Sequence, residues 1–123
     1  MSGRRDESLL LDDMVKAASR LVDLGSGEDT VLGEGRPCDE QVLYNLIVTG
    51  EIAKRVSPET RSRFPQIPWS AMARARDRVV HHYEGIDWMV IGQIVTSDLP
   101  SLLPQLMEIR DIVRTEFDAG TRG

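Results

Sequence analysis

Apolar residues recur along this chain at alternating spacings of four and three, and over no useful length do they alternate with polar ones at period two. Such spacing stacks side chains on one face of a helix and excludes half-buried strands. Leu10, Met14, Ala17, Leu21 and Leu24 form one stripe, which Gly25 can terminate. Val42, Leu46, Thr49, Ala53 and Val56 form a second, and Leu102, Leu106, Ile109, Val113 and Phe117 a third. A further long helix is expected from about Trp69 to Tyr83, stopping at Gly85. The expectation is an all-α fold: an up-and-down helical bundle of four main helices plus short helices, one domain over residues 1–123, without internal repeats.

Local punctuation refines this plan. Residues 25–37 hold four glycines and no periodicity, and read as the longest loop. Asp39 can accept hydrogen bonds from the first amides of the second helix, placing its start nearby. Gly50, inside that helix, either permits close approach of another helix or simply lowers helix stability by up to about 1 kcal/mol. Ser57-Pro58 has the form of an N-cap with proline at the first helical position, giving a short helix to about Arg63. Pro65 and Pro68 then break any continuation. Asp87 is expected to cap a short helix carrying Trp88, Ile91 and Val95, and Asp98 another with Pro100 in its first turn.

The 123 residues suffice to bury well over half of the unfolded surface without disulfides or a structural metal. The single Cys38 cannot form an internal bridge, and Cys38, His81 and His82 do not supply four zinc ligands. No metal or other cofactor is expected, and a reducing cytoplasm is the default location. The longest apolar run, Trp88 to Ile91, is far short of the roughly 20 residues a spanning helix needs, and no apolar segment follows Arg4 and Arg5. Neither membrane insertion nor secretion is expected. The formal net charge of -5 hides an asymmetry. Residues 54–78 contain seven basic side chains (Lys54, Arg55, Arg61, Arg63, Arg74, Arg76, Arg78) against two acidic ones, a local +5, whereas the remainder carries -10. This concentration suits a polyanion bound at one place, with Lys54, Arg55, Arg74 and Arg78 as backbone contacts for RNA; the plainer reading is a solvated arginine-rich face.

The stretch Arg74-Ala75-Arg76-Asp77-Arg78-Val79-Val80-His81-His82-Tyr83 carries the chemistry. A guanidinium clamps phosphate oxygens, an imidazole moves protons near neutral pH, and a phenol stands beside them. RNA brings its own nucleophile: removal of a ribose 2'-hydroxyl proton lets that oxygen attack the adjacent phosphorus, with no metal required. His81 as general base or acid can contribute on the order of 10²–10⁴-fold, while Arg76 stabilises charge on the phosphoryl oxygens. At about 100° per residue, Asp77 and His81 lie roughly 40° apart, so the carboxylate is placed to orient the imidazole, and Arg76 and Tyr83 lie about 20° apart. Arg76 and His81 lie about 140° apart and do not address one phosphate from a straight helix. Either the helix ends or distorts near His81, or two copies of the segment meet across a two-fold interface.

The run Arg76-Asp77-Arg78-Val79-Val80-His81-His82-Tyr83 resembles the Arg-x4-His-x-Tyr signature of the HEPN superfamily, in its HepT-like toxin branch. Similar words follow that branch's order: Gly50-Glu51-Ile52-Ala53-Lys54-Arg55 with Ser57-Pro58-Glu59, Ile67-Pro68-Trp69, Tyr83-Glu84-Gly85-Ile86-Asp87 and Thr96-Ser97-Asp98-Leu99-Pro100. The resemblance covers about Asp39 to the last helix. It implies a homodimeric, metal-independent ribonuclease, the toxin of a toxin–antitoxin pair. Its implied partner is a cognate minimal nucleotidyltransferase antitoxin that transfers AMP to Tyr83. Bulk and negative charge on Tyr83 would then block phosphate access to Arg76. By position, Arg76 and His81 are catalytic and Asp77 is the polar residue after the arginine. His82 stands where many relatives have a small residue, and Ala73-Arg74-Ala75 replaces the common Gly-Met pair.

The remaining residues have plainer roles open to them. Glu51 is either a solvent-facing carboxylate or a partner of the motif arginine, and His82 either packs or shares proton transfer. Tyr44, Trp69 and Trp88 read as core or interface aromatics. The alternative from another functional class is a non-catalytic helical adaptor that docks a nucleotidyltransferase or binds a nucleotide.

Overall fold

The computed structural model describes residues 4–27 and 31–122. Positions 28–30 of the expected 25–37 loop lie outside the described residues. Among the described residues there is no strand, and the long elements are α1 (Arg4–Gly25), α2 (Pro37–Arg55), α4 (Trp69–His81) and α6 (Leu99–Arg122), with short helices α3 (Pro58–Arg63) and α5 (Trp88–Gln93). The all-α bundle of four main helices is therefore the fold. Helix α1 packs on α2 and α6, while α2 also packs on α4, so α1 and α2 form the middle of the bundle.

The stripes that define the helices also fill the core. Met14, Ala17 and Leu21 of α1, Val42, Leu46, Thr49 and Ala53 of α2 with Val56 at its C-cap, and Leu102, Leu106, Ile109 and Val113 of α6 are buried, with Leu10, Leu24 and Phe117 partly exposed at the stripe ends. Each fully buried aliphatic side chain contributes about 1.5–3 kcal/mol. Trp69 is also buried, its indole N–H donating to the Phe64 carbonyl at 3.0 Å, and Trp88 lies half-buried against the core. Tyr44, by contrast, is 64% exposed and takes no part in the core. Ser57 caps α3 as expected, accepting from the Thr60 amide at 3.2 Å. Buried Glu7 of α1 ties that corner down, accepting from the Ser57 amide at 2.8 Å and the Thr60 hydroxyl at 3.0 Å.

Three expected boundaries are corrected. Helix α2 starts at Pro37, with Arg36 as its N-cap, and Asp39 does not cap it. Its buried carboxylate instead accepts from the amides of Gly33 and Gly35, each at 2.8 Å, closing a turn in which both glycines have positive φ, 90° and 75°. Helix α4 ends at His81 instead of Tyr83: His82 leaves helical geometry (φ -127°, ψ 35°), and Tyr83–Gly85 forms a single 3-10 turn. Asp87 caps α5, accepting from Met89 and Val90, but Asp98 caps nothing. Ile94–Asp98 is a π-helical turn through which α5 runs on into α6, so that end needs no cap. No described helix is long and apolar enough to cross a membrane.

Candidate functional site

The site begins where α2 and α4 cross, and Gly50 sets the crossing. A Cβ built on Gly50 would collide with the Cβ of Arg76 and stand 2.8 Å from the Met72 carbonyl, closer than real Cβ atoms approach a neighbour. Of the two readings of Gly50, close approach is therefore the one realised, and the helix it admits carries the motif arginine.

That approach gathers four charged side chains. The Arg76 Nε lies 2.6 Å from Glu51 Oε1, and its Nη1 donates to Asp77 Oδ1 at 3.0 Å. The buried Nε–H does not point along the line to Glu51, so that contact is a close ion pair without an aligned hydrogen bond. Lys54, one turn beyond Gly50 on α2, donates to the same Asp77 Oδ1 at 2.5 Å. Glu51 is thus a partner of the motif arginine and not a free surface carboxylate. The Lys54 ammonium, and after it the Arg76 guanidinium, hold the Asp77 carboxyl below the usual carboxylate range, because both hydrogen-bond to its ionised form. These contacts also correct the expected Asp77–His81 pairing: Asp77 turns towards Lys54 across the helix crossing and towards Arg76 beside it on α4, and no contact with His81 accompanies them among the described residues.

The remaining motif residues sit at the C-terminal end of α4. His81, His82 and Tyr83 are exposed, Tyr83 by 56%. His82 and Arg78, four residues apart, line one hollow of about 190 Å³ together with Val79, Ile86 and Val90. Tyr83 lies in the 3-10 turn and faces a different hollow, of about 380 Å³, walled by Trp88, Ile86 and the Gly33 turn. Ending the helix at His81 means that the Arg76–Tyr83 alignment of an ideal helix does not carry through. The other expected RNA contacts, Arg55, Arg74 and Arg78, are exposed. Among the described residues, no three His, Cys, Asp or Glu side chains converge into a metal site.

The structure therefore brings together Arg76, Glu51, Asp77 and Lys54, and leaves His81, His82 and Tyr83 open at one end. The positioning role of Gly50 was legible only as one of two readings. The Lys54–Asp77 pair, 23 residues apart in sequence, leaves no local signal at all.

The arrangement offers a guanidinium fixed by carboxylates at a helix crossing, with imidazoles exposed at the end of the same helix. The chain matches the family described as Ribonuclease HepT-like over residues 16–109, and it belongs to that family, within the HEPN superfamily. Among its relatives, "Putative RNase MJ0127" of Methanocaldococcus jannaschii is 29% identical over 109 residues, covering 86% of this chain and 88% of the relative. "Probable ribonuclease HepT" of Thermococcus cleftensis is 34% identical over 77 residues, covering 59% of this chain and 70% of the relative. "Putative RNase MJ1380" of Methanocaldococcus jannaschii is 26% identical over 100 residues, covering 80% and 92%. No solved structure matches the chain. Family membership makes RNA cleavage the class of activity.

Proposed function

We infer that this chain is a metal-independent endoribonuclease that works as a homodimer and serves as the toxin of a toxin–antitoxin pair. The observation that carries the reading is the Arg76 cluster. A guanidinium held at a helix crossing by Glu51 and Asp77 needs little further ordering to meet a phosphate, which is the condition for electrostatic stabilisation of a developing phosphorane. In this mechanism His81 takes the proton from a 2'-hydroxyl, the 2'-oxygen attacks phosphorus, and the bond to the 5'-oxygen breaks as that oxygen takes up a proton from the imidazolium or from water. The products are a 2',3'-cyclic phosphate and a 5'-hydroxyl. Arg76 neutralises the non-bridging oxygens. Arg76 and His81 diverge by about 140° on an ideal helix, so Arg76 of one protomer works with the partner's His81 in a shared cleft. Exposed Arg55, Arg74 and Arg78 hold the flanking backbone, and His82 beside Arg78 is placed to share proton transfer.

Regulation fits the same surface. Tyr83 stands exposed beyond the end of α4, open to a minimal nucleotidyltransferase antitoxin, and an AMP attached there would bring bulk and negative charge to the end of the helix that carries His81. The test uses the purified protein on single-stranded RNA and a matched DNA, with and without chelator. Expected are cleavage of RNA alone, cyclic phosphate ends, insensitivity to chelator, and a loss on the order of 10²–10⁴-fold in His81→Ala. Intact RNA, or activity abolished by chelator, refutes the mechanism. Coexpression with the nucleotidyltransferase should add the mass of AMP to the wild type and not to Tyr83→Phe.

A further inference from the structure

Two cations on different helices share a single oxygen in this protein. Lys54 Nζ and Arg76 Nη1 reach Asp77 Oδ1 at 2.5 and 3.0 Å, and Asp77 is the one ion-pair partner of Lys54 among the described residues. Arg76 has a second anchor, Glu51 at 2.6 Å, which stays with it if Asp77 leaves. With both carboxylates in place the four side chains are formally neutral, a poor attractant for a polyanion. Withdrawal of Asp77 alone leaves a net positive pair of donors converging on the place its oxygen held.

We propose that Asp77 is a stand-in for substrate: its Oδ1 occupies the position of a phosphoryl oxygen, and Lys54 together with Arg76 receives an RNA backbone phosphate once Asp77 turns aside. This rests on the ribonuclease reading and deepens it. Lys54 becomes a specific phosphate contact at the motif arginine instead of one member of a diffuse basic surface, and Asp77 becomes a built-in competitor that weakens RNA binding. Three features make the exchange feasible. The Asp77 side chain is 42% exposed, so it can turn into water without a buried-charge penalty. A phosphate, like a carboxylate, presents acceptor oxygens that suit ammonium and guanidinium donors together. The Gly50 crossing fixes α2 against α4, so the two donors stay paired when the carboxylate goes. Asp77 is also held in its ionised form by these same donors, so the competition operates at neutral pH.

The experiment measures binding of a fluorescein-labelled oligouridylate by anisotropy in the His81→Ala background, across a series of salt concentrations. Asp77→Asn, which keeps shape and removes charge, should tighten binding by about threefold to tenfold. Lys54→Ala should weaken binding and reduce the slope of log affinity against log salt by about 0.7, the loss of one phosphate contact on a single strand. The gain from Asp77→Asn should vanish in the Lys54→Ala, Asp77→Asn double variant. Weaker or unchanged binding in Asp77→Asn, an unchanged salt slope in Lys54→Ala, or a gain that survives without Lys54 each overturns the proposal. So does a failure of every variant to bind. Cleavage of RNA by the wild type is scored separately, so a protein that cleaves but fails these tests sinks this inference and not the ribonuclease reading.

Discussion

Replacing Gly50 by alanine sets helix propensity against packing, and the two predict opposite signs. In an isolated helix, alanine is favoured over glycine by about 1 kcal/mol. In this bundle the new Cβ would stand 2.8 Å from the Met72 carbonyl and collide with the Arg76 Cβ. Both obstacles belong to or are fixed on the α4 backbone, so no side-chain rotation relieves them, and overpacking of this kind costs about 1–3 kcal/mol. Taking the upper half of that range and subtracting the propensity gain leaves a net loss of about 1–2 kcal/mol. At about 4 °C per kcal/mol for a chain of this size, Tm should fall by roughly 4–8 °C in calorimetry or thermal circular dichroism. Activity should fall further than stability explains, because α4 must move away from α2 and take Arg76 from Glu51. Misplacement by about 1 Å costs up to about 10²-fold in rate, measured at a temperature where both proteins are fully folded. A Gly50→Ala protein as stable as the wild type, or more so, would refute the argument that α4 rests on this glycine.

Two smaller changes probe individual contacts. Ser57→Ala removes the acceptor for the Thr60 amide at 3.2 Å and should lower stability by about 1 kcal/mol in urea denaturation; an unchanged midpoint would show that Glu7 alone holds the corner. For Asp77, the folded-state carboxyl is depressed, first by Lys54 and then by Arg76, so its stabilisation is present above the unfolded value near pH 3.9 and is lost as pH falls through the folded one. The difference in urea midpoint between wild type and Asp77→Asn should therefore be level above about pH 4 and close below it, and a gap that widens on acidification contradicts the assignment.

The helices were legible because each is written in a single local period. The α2 stripe Val42, Leu46, Thr49, Ala53 and Val56 is buried throughout, and Ser57-Pro58 starts α3 where its capping chemistry requires. Errors arose where a residue's partner is not its helical neighbour. Asp39 has the composition of a cap, yet two glycine amides on the preceding turn claim its carboxylate. Asp98, two residues before Pro100, reads like a helix start, yet a π-helical turn carries the chain through it. The same limit governs the site. Arg76 and His81 are singled out by a linear motif, and Glu51 is legible as one possible partner of the arginine, but Lys54–Asp77 depends on how two helices cross. Local angles on an ideal helix point Asp77 at His81; Lys54 on the neighbouring helix, together with Arg76 beside it on its own, outweighs one imidazole of the same helix.

Whether Arg76 and His81 act within one protomer or between two can be decided by mixing inactive proteins. Arg76→Ala lacks the guanidinium and His81→Ala the imidazole, so each alone should be inert in either arrangement. If each site takes its arginine from one protomer and its histidine from the other, a mixed dimer holds one site lacking both groups and one site with both intact. Random exchange makes half of all dimers mixed, and half of their sites are complete, so the mixture should recover about one quarter of wild-type activity. If both groups serve a site within one protomer, every site in the mixture lacks one of them and no activity returns. Recovery should also track the rate of subunit exchange, followed by refolding the proteins together or incubating them as preformed dimers. On the two-fold reading recovery is expected: Arg76 and His81 both belong to α4, and five positions on a regular helix set them about 140° apart.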